Sequence, residues 1–211
     1  MALPCQHHRG LFVSVDGPSA VGKTTVVEHL ARLMAASGEE VHVTAEPSSG
    51  PIGRLCRELT ETVNGYALAC LYAADRYHHV AREIRPHTDA GRTVITDRYV
   101  PSSLVMQRFD GVDLPFLMQL NERADRPDVA VILQSAPEII ARRLLERGPH
   151  SRFQRMPDSS KAEVGFYHEA TERLIRAGYN VLTVDVSHQR PEQAAAVIAE
   201  RLTTLLAIRR I

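Results

Sequence analysis

The stretch Gly17-Pro18-Ser19-Ala20-Val21-Gly22-Lys23-Thr24 decides the fold. Its spacing matches G-x-x-x-x-G-K-[ST], a loop whose glycines let backbone N–H groups turn inward around phosphate oxygens, beside the positive N-terminal end of a helix. In such a loop Lys23 would reach the β- and γ-phosphates of ATP, and the Thr24 hydroxyl would bind Mg²⁺. The expected ATP contacts in this region are Gly17, Ser19, Ala20, Val21, Gly22, Lys23, Thr24 and Thr25.

The residues on either side of this loop predict a strand before it and a helix after it. Residues 11–15 form a short apolar run that ends at Asp16, as is typical of a buried parallel strand. Apolar residues then recur at helical spacing over residues 26–34, and Gly38 is placed to end that helix. Strand, phosphate loop and helix therefore follow one another in the order that the motif requires.

The rest of the chain alternates short apolar segments with helical patterns. This alternation predicts an α/β fold with a five-stranded parallel sheet and helices on both faces, whose ligands bind at the carboxyl ends of the strands. Polar residues at those ends are Asp16, Glu46, Asp97 and Gln134. The remaining strands are predicted at residues 41–45, 93–96, 129–133 and 181–184, and the remaining helices at residues 51–62, at residues 66–90 with a kink near Pro86, and around Ile198, Leu202 and Leu205.

Composition limits the choice of protein class. A chain of 211 residues, 44% of them apolar, predicts one domain over residues 1–211. The formal net charge is zero, which argues against general binding to nucleic acid polymers. Residues 1–10 lack an apolar signal segment and are expected to be a flexible N-terminus, and nothing indicates a membrane span, so the protein is expected to be cytoplasmic. Cys5, Cys56 and Cys70 lack metal-ligand spacing and predict free thiols without a disulfide.

Other parts of the sequence narrow the class of phosphate-loop protein. A GTPase would carry Asn-Lys-x-Asp and Asp-x-x-Gly, and neither is present. A motor ATPase would place an acidic residue after a long apolar strand, but the fourth predicted strand ends at Leu133-Gln134. Residues 148–160 are polar and basic, with arginines in or beside them, which fits either an ordinary surface loop or a mobile lid.

Several further motifs follow the phosphate loop in a fixed order. They are Glu46-Pro47, Leu71-Tyr72-Ala73-Ala74-Asp75-Arg76, Asp97-Arg98-Tyr99 with Ser102-Ser103, Pro127-Asp128 and Pro137-Glu138. With these motifs, the chain from Leu11 to about Leu206 resembles the thymidylate kinase family. The resemblance implies a nucleoside monophosphate kinase-like P-loop fold with residues 148–160 as a short Arg-rich lid, ATP and Mg²⁺ as cofactors, and a homodimer.

The resemblance also implies roles for individual side chains. Arg98 would contact the acceptor's phosphate, which a guanidinium can do bidentately, and Asp97 is suited to Mg²⁺ or its waters. Tyr72 would stack on the acceptor base and Arg76 would help to hold it, with Gln107 at the base edge. The other substrate-binding residues would be Glu46, Ser102 and Ser103. Because the phosphate loop contains no arginine, the lid would supply one, and the candidates are Arg147, Arg152 and Arg155, with Arg152 the first choice as catalytic residue and Arg147 on ATP.

Two positions depart from the family pattern on the acceptor side. The family commonly has an arginine before Glu-Pro, on the acceptor's phosphate, where this chain has Ala45. It also has an acidic residue inside the loop, near the sugar 3′-hydroxyl, where this chain has Ser19. Loss of a charged hydrogen-bond partner typically costs about 1.5–3 kcal/mol of binding free energy, so each departure is expected to weaken binding of the family's usual acceptor. Asp16 would be a general base on a 5′-hydroxyl acceptor, or an aspartate that orders the loop and the Mg²⁺ waters.

Three functions are therefore open. The first is a kinase that phosphorylates a pyrimidine nucleoside monophosphate, and the second phosphorylates the 5′-hydroxyl of a nucleoside or nucleoside-like metabolite. The third is a regulatory nucleotide-binding protein without transferase activity. His78 and His79 point about 100° apart on a helix and are expected to be surface polar residues rather than metal ligands.

Overall fold

A computed structural model describes residues 9–209; Cys5 and most of the predicted flexible N-terminus lie outside this range. The described chain confirms the α/β class, with five parallel strands in the order β2-β3-β1-β4-β5. Each strand boundary falls within one residue of its predicted position. The strands are β1 (Phe12–Asp16), β2 (Val41–Ala45), β3 (Thr93–Asp97), β4 (Val129–Gln134) and β5 (Val181–Asp185).

Helices cover both faces of this sheet. The α-helices are α1 (Lys23–Ala36), α2 (Pro51–Leu59), α3 (Gly65–His79), α4 (Arg85–Asp89), α5 (Val100–Met106), α6 (Leu114–Leu120), α7 (Pro137–Arg147), α8 (Ser159–Arg176) and α9 (Pro191–Arg209). The sequence patterns did not predict α5 and α6. Both begin with a proline in the first turn, and Asp113 caps α6 by accepting a hydrogen bond from the Phe116 N–H at 2.9 Å.

The helix predicted over residues 66–90 is interrupted by a π-helical segment, Val80–Ile84. Pro86 has no N–H to donate, and its ring crowds the carbonyl group four residues earlier, so the helix widens one turn before the proline. Helix α4 then continues to Asp89, and Gly91 follows with a φ of 83°. The kink predicted at Pro86 therefore takes the form of a wide turn on its N-terminal side.

The apolar residues of β1 divide between two cores. Val13 and Val15 pack with α1 and α9 on one face of the sheet, and Phe12 packs with α5 and α8 on the other. A strand that is buried on both faces is apolar at nearly every position, which explains the uninterrupted run that predicted it. Central placement of β1 also puts the loop that follows it in the middle of the carboxyl edge of the sheet.

Among the described residues, none of the helices combines the length and the apolar character that a membrane-spanning segment needs. Cys56 is buried and Cys70 is exposed, and both are free thiols.

Candidate active site

A pocket that we call the phosphate pocket lies at the carboxyl ends of β1 and β3. Its wall contains most of the residues predicted for ATP and Mg²⁺, together with Arg98. The lining residues are Ser19, Ala20, Gly22, Lys23, Thr24, Thr25, Asp97, Arg98 and Arg147. Gly17 and Val21 belong to the loop but are not among the residues that line this pocket. Their carbonyl oxygens accept hydrogen bonds from Lys23 and Arg143 respectively.

Glycine is required at both ends of the loop. Gly17 has a φ of 146°, and a Cβ there would lie 2.6 Å from the Leu133 carbonyl oxygen. Gly22 has a φ of 102°, a conformation that residues with a Cβ rarely adopt. The positions of these two glycines therefore follow from backbone geometry.

Lys23 is buried in the wall of the pocket. Its Nζ donates to the Gly17 and Pro18 carbonyl oxygens, each at 2.8 Å. Burial, with the nearby positive charge of Arg98 adding to it, lowers the Lys23 pKa to about 7. The ammonium ion thus lacks a full set of anionic partners within the protein, and a bound phosphate would supply them.

Thr24 and Asp97 form the part of the site that suits a magnesium ion. The Thr24 hydroxyl donates to Asp97 Oδ2 at 2.6 Å, and Asp97 Oδ1 is buried without a hydrogen-bond partner in the described part of the chain. Within residues 9–209 there is no cluster of three or more His, Cys, Asp or Glu residues that could hold a metal. A hydroxyl and one carboxylate fit Mg²⁺, which takes its other ligands from water and substrate phosphates.

The hydrogen bonds of Asp16 indicate a structural role for its carboxylate. It is fully buried, and its Oδ1 accepts hydrogen bonds from the Tyr99 N–H, the Ser102 N–H and the Ser102 hydroxyl at 2.8–3.1 Å. Burial raises the Asp16 pKa, an effect that these hydrogen bonds oppose. Asp16 lines neither the phosphate pocket nor the acceptor pocket described next. Its carboxylate holds the start of α5 against the end of β1.

A second pocket adjoins the first and brings together the residues predicted for the acceptor. These come from three separated parts of the chain, around Glu46, on α3 and over residues 98–107. Ser19 and Arg98 lie in the walls of both pockets. We call it the acceptor pocket. The predicted residues that line it are Glu46, Tyr72, Arg76, Arg98, Ser102, Ser103 and Gln107, and the others are Ser19, Pro47, Thr60, Tyr99, Met106, Ser151, Phe153 and Gln154.

Arg98 stands at the junction of the two pockets in a constrained conformation. Its φ of 75° lies in the left-handed region, which costs a residue with a side chain about 1–3 kcal/mol. The Arg98 N–H donates to the Val15 carbonyl at 3.0 Å, and its own carbonyl accepts from the Thr96 hydroxyl at 2.9 Å. These bonds hold the backbone so that the guanidinium, which donates to the Ser102 hydroxyl at 3.3 Å, reaches both pockets.

Arg76 is buried and held by partners of its own. It donates to Glu46 Oε2 at 2.9 and 2.6 Å, to the Ser103 hydroxyl at 2.9 Å and to Asn121 Oδ1 at 2.5 Å. Burial acts to lower the Arg76 pKa, but Glu46, Tyr99 and Asp16 together act against it and the pKa is raised. Arg76 is therefore a fixed cation in the pocket wall.

The expectation that His79 is a surface residue is wrong. His79 is buried, 2.8 Å from the Thr44 hydroxyl and 3.3 Å from Glu46 Oε1. It lies one turn after Asp75 and Arg76, on the helix face that packs against the Glu46 strand end. His79 thus supports the carboxylate that holds Arg76. His78 is partly buried, and neither histidine belongs to a metal cluster in the described chain.

Tyr72 and Gln107 lie on the acceptor pocket at different depths. The Tyr72 hydroxyl is 2.9 Å from the Thr60 hydroxyl, and its ring borders the pocket. Gln107 is buried, and its Oε1 has no hydrogen-bond partner among residues 9–209. An unpartnered amide group at a pocket wall can bond to a ligand's polar edge.

A carboxylate that the sequence analysis missed lies beside the phosphate loop. Glu163, from α8, is buried and accepts from the Ser19 N–H at 2.9 Å and from the Ser19 hydroxyl at 3.2 Å. Position 19, where the resemblance implied an acidic residue, is a serine in this chain, and that serine is contacted by a carboxylate from a helix 144 positions away. A glutamate on an amphipathic helix gave no signal of this in the sequence.

The lid arginines occupy different environments. Arg147, at the end of α7, lines the phosphate pocket. Arg152 lies on the acceptor side, where it pairs with Asp110 at 2.6 Å, and within the described chain it is not among the residues that line the phosphate pocket. Arg155 pairs with Glu61 on the surface. The choice of Arg152 as the arginine on the transferred phosphate is therefore not supported by its position in the structure.

A further pocket beside the loop extends from the phosphate site towards β5. Its wall includes Arg143, which donates to the Val21 and Val186 carbonyl oxygens at 3.4 and 3.3 Å. Arg143 was not among the predicted site residues, although it lies one turn before Arg147. The lining residues are Ala20, Val21, Gly22, Val26, Arg143, Val186, Gln189 and Pro191.

Comparisons with known proteins agree with this architecture. A family model described as thymidylate kinase matches residues 15–198. The chain is 36% identical over 192 residues to a probable thymidylate kinase of Pyrobaculum aerophilum, an alignment that covers 90% of this chain and 94% of that one. It is 34% identical over 207 residues to a probable thymidylate kinase of Pyrobaculum calidifontis, covering 95% and 100% of the two chains. A probable thymidylate kinase of Pyrococcus abyssi is 39% identical over 156 residues, covering 70% and 76%.

Proposed function

The chain belongs to the thymidylate kinase family and is an ATP-dependent nucleotide kinase, and from that premise we propose that it transfers the γ-phosphoryl group of ATP to the 5′-phosphate of a pyrimidine nucleoside monophosphate. Thymidylate is the first acceptor to test. The observation that carries the proposal is the position of Arg98 in the wall of both pockets. A guanidinium there can bind the acceptor's phosphate while it faces the phosphoryl group that is transferred.

The donor side supplies the charge that phosphoryl transfer needs. Lys23 would bind the β- and γ-phosphates, with the loop N–H groups around them, and Arg147 would approach from the lid end. Mg²⁺, held through Thr24 and Asp97, would neutralise charge on the phosphate oxygens when bound. The pocket lined by Arg143 and Val186 is where we place the adenine ring, since it opens from the phosphate pocket along the same loop.

The acceptor side would orient the nucleotide. We assign Tyr72 to stacking on the base, and Arg76 and Gln107 to its polar edge, because all three border the acceptor pocket. Glu46 fixes Arg76, while Ser102 and Ser103 would contact the phosphate end beside Arg98. Glu163, through Ser19, would restore the negative charge that the family places near the sugar.

The position of Asp16 supports a phosphate acceptor over a hydroxyl acceptor. A hydroxyl needs a base that can reach its proton, whereas a phosphate is already an anion. Asp16 uses one carboxylate oxygen to order α5 and borders neither pocket. Ala45 is the remaining reason to test nucleosides, because no arginine stands before Glu46.

A panel of nucleosides and nucleoside monophosphates, incubated with ATP and Mg²⁺, tests the proposal by product mass. We expect a diphosphate from a pyrimidine monophosphate, and no phosphorylation of the nucleosides. A phosphorylated nucleoside with every monophosphate unchanged would transfer the assignment to a hydroxyl kinase. The resemblance also leads us to propose a homodimer, which light scattering would test.

A further inference from the structure

Arg152 of the lid forms a bidentate ion pair with Asp110. The two terminal guanidinium nitrogens lie 2.6 Å from the two carboxylate oxygens. Asp110, at the end of the 3₁₀ turn Gln107–Asp110, has only 4% of its side chain exposed, against 24% for Arg152. A bidentate Arg–carboxylate pair of this kind is among the stronger hydrogen-bonded interactions in proteins, and here the carboxylate is almost fully buried from solvent.

The remaining donors of Arg152 bind the connection between α2 and α3. Its Nε donates to the Thr60 carbonyl at 2.7 Å, Nη2 also lies 3.3 Å from the Val63 carbonyl, and its backbone N–H donates to Glu61 at 3.0 Å. All three guanidinium nitrogens are therefore bonded to protein oxygens on the acceptor side of the molecule.

Two of the partners of Arg152, Thr60 and Asp110, are bonded to α3 and its first residue. The Thr60 hydroxyl bonds to the Tyr72 hydroxyl at 2.9 Å, and Asp110 accepts from the Gly65 N–H, at the start of α3, at 3.3 Å. On the lid side the next residue, Phe153, packs near Phe109 and lines the acceptor pocket. The ion pair thus ties one wall of the pocket to the segment that covers it.

We propose that Arg152 is a latch on the acceptor side: a positioning residue that fastens the lid, residues 148–160, over the acceptor pocket through Asp110 and the connection between α2 and α3. We do not place Arg152 on the transferred phosphoryl group, because Arg147, and not Arg152, lines the phosphate pocket. The latch rests on the proposed function for its effect on substrate. The ion pair should also hold the lid in place in the nucleotide-free protein.

Kinetics of three variants test the latch: Arg152→Gln, Asp110→Asn and the double variant. If the pair acts as a unit, each single change raises the KM of the monophosphate acceptor by about tenfold to a hundredfold, the range of a charged hydrogen bond. The double variant is then no worse than the singles, and kcat and the KM of ATP stay within about twofold. The matched control is Arg85→Gln, which breaks a bidentate pair with Asp125, at 2.8 and 2.6 Å, outside both pockets. The control should keep the KM of the parent.

Hydrogen exchange of the nucleotide-free protein gives a readout that needs no activity. The latch predicts faster exchange in residues 148–160 and 60–65 in the latch variants and not in Arg85→Gln. If no monophosphate is phosphorylated by the parent protein, the proposed function fails while this measurement still decides the latch. If Asp110→Asn does not fold, Arg152→Gln alone carries the exchange test, because Arg152 is partly exposed.

Two results would overturn the proposal. One is unchanged lid exchange in Arg152→Gln. The other is a large fall in kcat in Arg152→Gln with the acceptor KM unchanged and Asp110→Asn behaving as the parent, which would place the arginine on the transferred phosphate.

Discussion

The donor and acceptor sides of this site are built in different ways. The donor side is mostly one continuous loop, Gly17 to Thr25, whose shape comes from two glycines and a helix start. The acceptor side gathers residues from β2, α3, the end of β3, α5 and the lid. The ligand contacts of a continuous loop can be predicted from its local sequence. The contacts of a pocket formed by separate segments depend on how the chain folds. Arg98 and Ser19 belong to both sides.

The largest effect should come from the donor side. Lys23→Met removes the cation from the phosphate pocket, and we expect kcat to fall about a hundredfold to a thousandfold, as when one preorganised donor to a developing charge is lost. Steady-state kinetics with saturating acceptor measures this. The acceptor should still bind, which equilibrium dialysis can check. A variant with kcat near that of the parent would break the distinction between the two sides.

Arg98→Gln should damage both sides at once. Because the guanidinium faces both pockets, we expect the acceptor KM to rise and kcat to fall, with kcat/KM about a hundredfold lower or more. Ser102→Ala, which removes the hydroxyl that Arg98 contacts at 3.3 Å, serves as a milder comparison. A change confined to KM would mean that Arg98 belongs to the acceptor side alone.

Glu163→Gln should affect the acceptor side more than the donor side. Loss of the charge beside Ser19 should raise the KM of a deoxynucleoside monophosphate about tenfold. An acceptor without the 3′-hydroxyl should bind the parent more weakly, but should lose little further affinity in the variant. Glu172→Gln, an exposed glutamate on the same helix, is the matched control. Equal losses for both acceptors would separate Glu163 from the sugar.

The smallest effect concerns stability and pH. The Lys23 pKa is lowered to about 7 in the folded protein, so between pH 7 and the pKa of the unfolded chain the unfolded state binds more protons. Stability without nucleotide should therefore rise with pH above 7 relative to Lys23→Met, in which this contribution is absent. Denaturant melts of the two proteins at several pH values measure the difference. Bound ATP should reduce it, since phosphate favours the charged lysine, and equal slopes would contradict the pKa shift.

The local features of the donor side and of the sheet could be predicted from the sequence. Gly17, Gly22, Lys23 and Thr24 could be assigned from spacing because a backbone loop is local. The strands could be placed within a residue because β1 and its neighbours are apolar on both faces. The residues that resembled a family motif, such as Tyr72 and Arg76, were brought to one pocket as the resemblance implied.

What the sequence did not reveal depends on contacts between distant segments. Glu163 meets Ser19 from 144 positions away, and Arg152 meets Asp110 from 42 positions away. His79 is buried because the strand end at Glu46 packs on its helix face. Local sequence patterns do not identify contacts between distant residues. A lid arginine therefore could not be assigned to the donor or the acceptor side before the fold was known.

The central claim is that the donor and acceptor sides meet at Arg98, so that the γ-phosphoryl group of ATP is transferred to the phosphate of a nucleoside monophosphate. Thymidylate and thymidine, offered separately with ATP labelled in the γ-phosphate, test it most directly. We expect the label to appear in thymidine diphosphate and thymidine to stay unlabelled. Label in thymidine monophosphate, with thymidylate unchanged, would contradict it.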